Sequence, residues 1–243
     1  MTYFSIYMPD FMNVAGMEGT KISSIVSFGA LNGMLFGPFW GSIVSATGFL
    51  LYEVTSGKYL SMSTFSALSI LFIALSSVVS GLVVNREHKA AKSIFFVLIV
   101  VWYMLDMGRT AYAYPWYHLL VLGGFIYFEK SILVKTVTSK VYIFISLLFA
   151  SLMGVLSDHL AGSITYHILY GLPADMYKSV IFIYPVERTI LAVFPAFLVY
   201  VLIVVFKDII LSSGNIEKDI EDKKSMDLDE YLKNDVLNII KEK

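Results

Sequence analysis

The chain has 243 residues, of which 57% are hydrophobic and only 15% charged, and its mean hydropathy is +0.73. Soluble domains are typically about one quarter charged, so this composition excludes an ordinary soluble globule. The net charge of −1 gives no sign of a nucleic-acid partner. Because cysteine is absent, disulfides, thiolate metal sites and thiol nucleophiles are also excluded.

Long apolar runs separated by short polar breaks predict an all-α, polytopic transmembrane helical bundle. Residues 1–21 lack the basic start and unbroken apolar core of a signal peptide, and we expect them to form an outward-facing segment. The transmembrane domain is predicted over 22–206. A crossing needs roughly 20 apolar residues, and five segments approach this: 60–84, 93–107, 114–128, 141–158 and 180–206.

The first apolar run, 22–52, is too long for one simple crossing and short for two. Pro38 removes a helical hydrogen bond, and the preceding Gly37 is a favourable helix stop. We therefore predict two short helices, about 22–36 and 39–53, that reverse at Gly37-Pro38. A single kinked helix is the alternative. With the hairpin, the bundle has about six to seven crossings and the N-terminus outside.

Small residues recur at every fourth position around this turn, where they would let helices approach closely in lipid. These small residues serve either packing within the fold or docking of another subunit. They are Gly29, Gly33, Gly37, Gly41 and Ser45, with Pro38 between them.

Basic residues set the orientation, because short cytoplasmic loops are rich in lysine and arginine. Such residues fall in two loops, at Arg86, Lys89 and Lys92 and at Lys130, Lys135 and Lys140. We expect both loops, and the charged tail 207–243, to be cytoplasmic in a multi-pass protein of the cell membrane. Within the tail, apolar residues at helical spacing predict an amphipathic helix over 225–242, which either covers the protein's own face or binds a partner helix.

Ionisable side chains in or near apolar segments are candidates for ligand contact, because they are costly in lipid. The strongest are Arg188, which suits a carboxylate or phosphate, and its neighbour Glu187; inter-helix clamping is the alternative. Weaker candidates lie at the end of one crossing and among aromatic residues that also fit an interfacial belt: Asp158, His159, Tyr184 and Trp116. No metal or cofactor site is predicted. Asp106 and Arg109, three residues apart, are expected to form a local ion pair.

The stretch GTKISSIVSFGALNGMLFGPFWGSIVSATGFLL, residues 19–51, resembles the substrate-binding S components of energy-coupling factor (ECF) transporters. Its most specific piece is the Phe-Gly-Pro turn at 36–38. The segments 184–206 and 154–163 are similar to the family's last helix and to the end of the helix before it. The family usually begins with a cytoplasmic N-terminus and a first helix that has no counterpart before residue 19, and 93–128 is an additional pair of crossings.

The resemblance implies a prokaryotic membrane subunit that is not an enzyme and that captures a small metabolite or vitamin at its outer side. Vitamin uptake would then depend on a transmembrane coupling subunit and ATPase subunits, and the chain itself has no phosphate-binding Gly-x-x-x-x-Gly-Lys-Ser/Thr loop. Two other functions stay open. A structural or assembly membrane protein would use its polar residues only to lock helices, and a membrane-embedded enzyme would use Asp158, His159, His167 or Glu187.

Overall fold

A computed structural model describes residues 25–57, 62–132 and 139–206, with the backbone alone for 133–135. The predicted N-terminal segment 1–21 and the amphipathic helix 225–242 lie outside these residues. The chain divides into two compact units, Met1–Tyr200 and Val201–Lys243. Of the second, only the helical residues 201–206 are described.

All regular structure in the described residues is helical, as the sequence predicts. The described residues form eight helices: α1 Ile25–Thr55, α2 Thr64–Val84, α3 His88–Met104, α4 Asp106–Thr110, α5 Trp116–Lys135, α6 Lys140–Tyr170, α7 Ala174–Ser179 and α8 Ile183–Phe206. Their ends follow local chemistry. The Ser63 hydroxyl caps the start of α2, and α6 ends where Gly171 adopts the left-handed conformation, two residues before Pro173.

Four of these helices, α1, α2, α6 and α8, are long and apolar enough to cross a membrane. The surface agrees, because many large apolar side chains on these helices are exposed, among them Phe39, Trp40, Leu71 and Phe197. These features fit a multi-pass membrane protein. The predicted segments 93–107 and 114–128 correspond to α3 and α5, which are not among these four helices; α3 has only 17 residues.

α1 consists of two helical arms, because the chain reverses direction at Gly37, where the backbone angles are not helical. The backbone there has φ 78° and ψ 177°, a conformation that is essentially restricted to glycine. The amide of Asn32 donates to the Ser45 hydroxyl at 2.9 Å, although thirteen residues of straight helix would separate them by about 20 Å. The predicted hairpin at Gly37-Pro38 is therefore present, with arms at 25–36 and 38–55, and the single kinked helix is wrong.

Close backbone contacts hold the two arms of this hairpin together and hold the hairpin against α2. A methyl group at Gly33 would overlap the carbonyl of Ser77, and one at Gly41 would lie 2.7 Å from the carbonyl oxygen of Asn32. The Ser77 hydroxyl lies 2.7 Å from that of Ser45 and donates to the carbonyl of Gly29 at 2.7 Å. The small residues thus face neighbouring helices within the fold, which is the arrangement that packing in lipid favours.

The core lies between α2, α6 and their neighbours. Its interior is filled by fully buried side chains from several helices, including Leu31, Val79, Phe95, Trp102, Phe125, Met153 and Leu156. α6 is 31 residues long, about 46 Å at the usual helical rise, and so extends past the roughly 30 Å of hydrocarbon that it would cross. Its C-terminal half carries the polar residues of the candidate site.

Candidate functional site

Polar and aromatic side chains from the C-terminal half of α6 meet those at the beginning of α5 and α8. We call this group the polar cluster and define it as Tyr114, His118, Asp158, His159, Tyr184 and Arg188. The two α6 residues, Asp158 and His159, lie one turn before Ser163. The other groups come from the first two turns of α5 and α8 and from the connection before α5, so the core of the bundle fixes their positions.

Tyr114, in the connection between α4 and α5, joins three segments. Its buried hydroxyl lies 3.1 Å from His159 Nε2 and 3.1 Å from the Ser163 hydroxyl. Its backbone carbonyl accepts a hydrogen bond from the Tyr184 hydroxyl at 2.6 Å. Burial raises the pKa of Tyr114 to about 12, so the phenol is neutral at physiological pH and holds one proton to donate to His159 or Ser163.

Three rings of the polar cluster, His118, His159 and Tyr184, pack as a compact group in which every pair of centroids lies within 5.7 Å. The centroids of His118 and His159 are 5.6 Å apart with nearly parallel planes, and those of His159 and Tyr184 are 4.7 Å apart. His118 is fully buried, and neither ring nitrogen has a hydrogen-bond partner among the described residues. The backbone carbonyl of Leu156 is near the ring but does not meet hydrogen-bond geometry. A buried histidine without partners is costly, and it lies beside the ionic groups.

Arg188 is the central charge of the polar cluster and is half-buried on α8. Its Nε is buried without a hydrogen-bond partner, and no carboxylate of the described residues lies within 4 Å of its guanidinium. Asp158 and Glu187 are nevertheless within its electrostatic range. Both carboxylates are also without hydrogen bonds to the part of the chain that is described, and Glu187 is only 7% exposed. The site therefore holds separated, unpaired charges of both signs.

A cleft of about 180 Å³ lies on the other side of Tyr114. It is lined by the segment 110–114 together with Lys178 and Ile181. Tyr114 thus lines the cleft and also contacts His159 of the polar cluster.

Four of the six predicted binding residues lie in the polar cluster, namely Arg188, Asp158, His159 and Tyr184. Glu187 adjoins it. Trp116 lies elsewhere: its indole donates to the carbonyl of Ile181 at 3.0 Å, and its ring packs near Phe182.

One local prediction is wrong. Asp106 does not pair with Arg109; its carboxylate contacts Nε2 of His167 on α6 at 3.0 Å. The fold therefore brings His167, which is distant in sequence, to Asp106, and this contact connects α4 with α6.

Two residues of the polar cluster were not singled out as binding residues. Tyr114 and His118 both belong to the aromatic stretch 112–118, which also fits an interfacial belt. The available signal was His118 itself, an ionisable residue at the start of an otherwise apolar run. No group of three or more metal-ligating side chains occurs among the residues described.

Comparison with known proteins adds one relative. The chain is 30% identical over 181 residues to an uncharacterized protein of the archaeon Methanocaldococcus jannaschii. The match covers 74% of this chain and 60% of the relative, so the chain spans less than two thirds of that protein's length. No family model and no solved structure matches the chain.

Proposed function

We propose that the chain is the membrane-embedded substrate-capture subunit of an ECF-type uptake transporter for a small metabolite or vitamin. The observation that carries this proposal is Arg188, a membrane-helix arginine that lacks an ion-pair partner while Asp158 and His159 lie close by. An uncompensated, partly buried charge costs several kcal/mol. A ligand with an anionic group would remove that cost, so binding energy is available at this position.

The same observation argues against a purely structural role for the cluster. Charged residues that only lock helices together would pair with one another, as Lys92 and Glu129 do between α3 and α5. In the polar cluster the opposite charges are held apart. This is the arrangement expected of a site that is completed by a ligand.

We propose further that the bundle crosses the cell membrane seven times, with both arms of α1, then α2, α3, α5, α6 and α8. The basic loops would then face the cytoplasm and the polar cluster the outside. Native cysteine is absent, so single cysteines report topology directly. An impermeant maleimide added to intact cells should label Asp175→Cys and spare Lys89→Cys. Labelling of both, or of Lys89→Cys alone, would contradict this orientation.

Energy would come from partners. The chain has no phosphate-binding loop, so the proposal assigns ATP hydrolysis to separate ATPase subunits and the transfer step to a transmembrane coupling subunit. The hairpin at Gly37-Pro38 supports the likeness to S components, because it lies in the stretch on which that resemblance depends.

The test is ligand retention. Protein purified in lipid nanodiscs should release a small molecule on denaturation, detectable by mass spectrometry. Arg188→Gln should lose that molecule, whereas Arg109→Gln, which removes an exposed arginine outside the cluster, should keep it. A molecule that is retained equally by both variants, or by neither variant nor the parent, would refute capture at this site.

Stability separates binding from helix locking. If Arg188 clamped two helices, its loss would destabilise the protein by roughly 3–5 kcal/mol, as for other broken buried pairs. Because it has no partner here, the ligand-free Arg188→Gln protein should unfold at the parent temperature or above. A large loss of stability would favour the structural or assembly protein.

A further inference from the structure

The unpaired groups of the polar cluster restrict the charge of what it binds. Arg188 requires an anionic group, because no carboxylate lies within ion-pair distance of its guanidinium. Asp158 and Glu187 outnumber that single positive charge and are themselves unpaired. A ligand with only an anionic group would leave both carboxylates uncompensated. A ligand with only a cationic group would leave the charge of Arg188 uncompensated.

The rings beside these charges restrict the shape. His118, His159 and Tyr184 form a compact group in which every pair of centroids lies within 5.7 Å and every pair of planes within 33°. Trp102 lies behind Tyr114, with ring centroids 4.8 Å apart. Flat aromatic walls next to ionic groups favour a ligand with a planar ring, which packs on aromatic faces in offset or edge-on contacts.

We infer that the polar cluster binds a zwitterionic small molecule with a planar ring, whose anionic group pairs with Arg188 and whose protonated amine pairs with Asp158. This inference rests on the proposed function, since it names the substrate class of the capture site. His118 is the fully buried, unpartnered polar side chain of the same site, and it supplies a ring nitrogen for a further hydrogen bond to the ligand.

Three probes with one ring and different charges test the class: L-phenylalanine as the zwitterion, 3-phenylpropionate as the anion and 2-phenylethylamine as the cation. Each is added at up to ~10 mM to washed, ligand-free protein in nanodiscs near neutral pH, and the unfolding temperature is followed, because a ligand that binds only the folded state raises it. Phenylalanine should bind roughly tenfold or more tightly than either analogue.

Two variants assign the charges. Arg188→Gln should remove the preference for phenylalanine over phenylethylamine, and Asp158→Asn should remove the preference over phenylpropionate. Arg109→Gln should leave the order of the three probes unchanged. The inference is overturned if either analogue binds as tightly as phenylalanine, or if none of the three raises the unfolding temperature.

The retained molecule distinguishes this failure from failure of the proposed function. A molecule that is lost in Arg188→Gln but lacks an amine or an acid would overturn the zwitterion and leave substrate capture standing. Absence of any retained molecule that depends on Arg188 would overturn capture itself.

Discussion

Replacing Gly33 by alanine tests the contact that holds the α1 hairpin to α2. The added methyl would overlap the Ser77 carbonyl oxygen and the Ser80 hydroxyl, and would lie 2.8 Å from the Ser77 carbonyl carbon. Ordinary carbon–carbon contact is about 3.5–4.0 Å, so the helices must separate by roughly 0.7–1.2 Å. Overpacking of this kind typically costs about 1–3 kcal/mol, occasionally more. The alanine regains up to about 1 kcal/mol through helix propensity.

The separation would also lengthen the hydrogen bonds from Ser77 to the Gly29 carbonyl and from Ser80 to the Ala30 carbonyl, now 2.7 and 3.1 Å. Such bonds between membrane helices contribute about 0.6 kcal/mol each on average. We therefore expect a net destabilisation of about 2–3 kcal/mol, measured by SDS-induced unfolding in mixed micelles.

Gly123→Ala is the matched control, because a methyl group at Gly123 on α5 meets nothing within 4 Å. It should leave stability unchanged or raise it slightly. If Gly33→Ala proved as stable as Gly123→Ala, the close approach of α1 and α2 would be refuted.

Three further changes test other contacts. Gly37→Ala should cost about 1–3 kcal/mol in the same unfolding assay, because φ 78° with ψ 177° is strained for any side chain; an unchanged midpoint would contradict the reversal. Tyr184→Phe removes the buried hydrogen bond to the Tyr114 carbonyl and should cost about 1–3 kcal/mol in thermal unfolding, since the carbonyl is left unsatisfied; no loss would disprove that bond. The hydrogen bond from His167 lowers the pKa of the Asp106 carboxyl. The contact therefore stabilises the folded state at pH values above the usual carboxyl pKa, and this stabilisation is lost as the pH falls through the lowered pKa. A carbon-13 titration of the Asp106 carboxyl should move to higher pH in His167→Phe, and an unmoved curve would exclude the contact.

The sequence predicted the parts of the fold that depend on local chemistry. Gly37-Pro38 combines a residue that tolerates unusual backbone angles with one that cannot continue a helix, so the reversal is visible without a structure. The lengths of the apolar runs predicted both ends of α2 and α8, and the start of α6, to within a few residues. The exception is α6, which continues to Tyr170 where 158 was expected, because polar residues such as Asp158 and His159 end an apolar run without ending a helix.

The polar cluster was only half predictable for a different reason. Arg188, Asp158 and His159 were visible as ionisable groups in apolar surroundings, a property of each residue alone. Tyr114 and His118 belong to a stretch that fits an interfacial belt equally well, and only the packing of α5 against α6 places them beside His159. The partner of Asp106 was missed similarly, since His167 is 61 residues away.

The two halves of the molecule meet different physical demands. Around the hairpin, serine hydroxyls link the helices directly: Ser77 contacts Ser45 and the Gly29 carbonyl, and Ser80 donates to the Ala30 carbonyl. These contacts hold α1 against α2, although the buried Ser76 hydroxyl has no partner among the described residues. In the polar cluster, Arg188 and His118 are left without partners although the surrounding rings are packed closely. Buried polar groups are almost always satisfied, so the unpaired groups of the polar cluster support our proposal that a bound molecule completes this site. A helix-locking role would instead pair the charges with one another, as Lys92 and Glu129 are paired between α3 and α5.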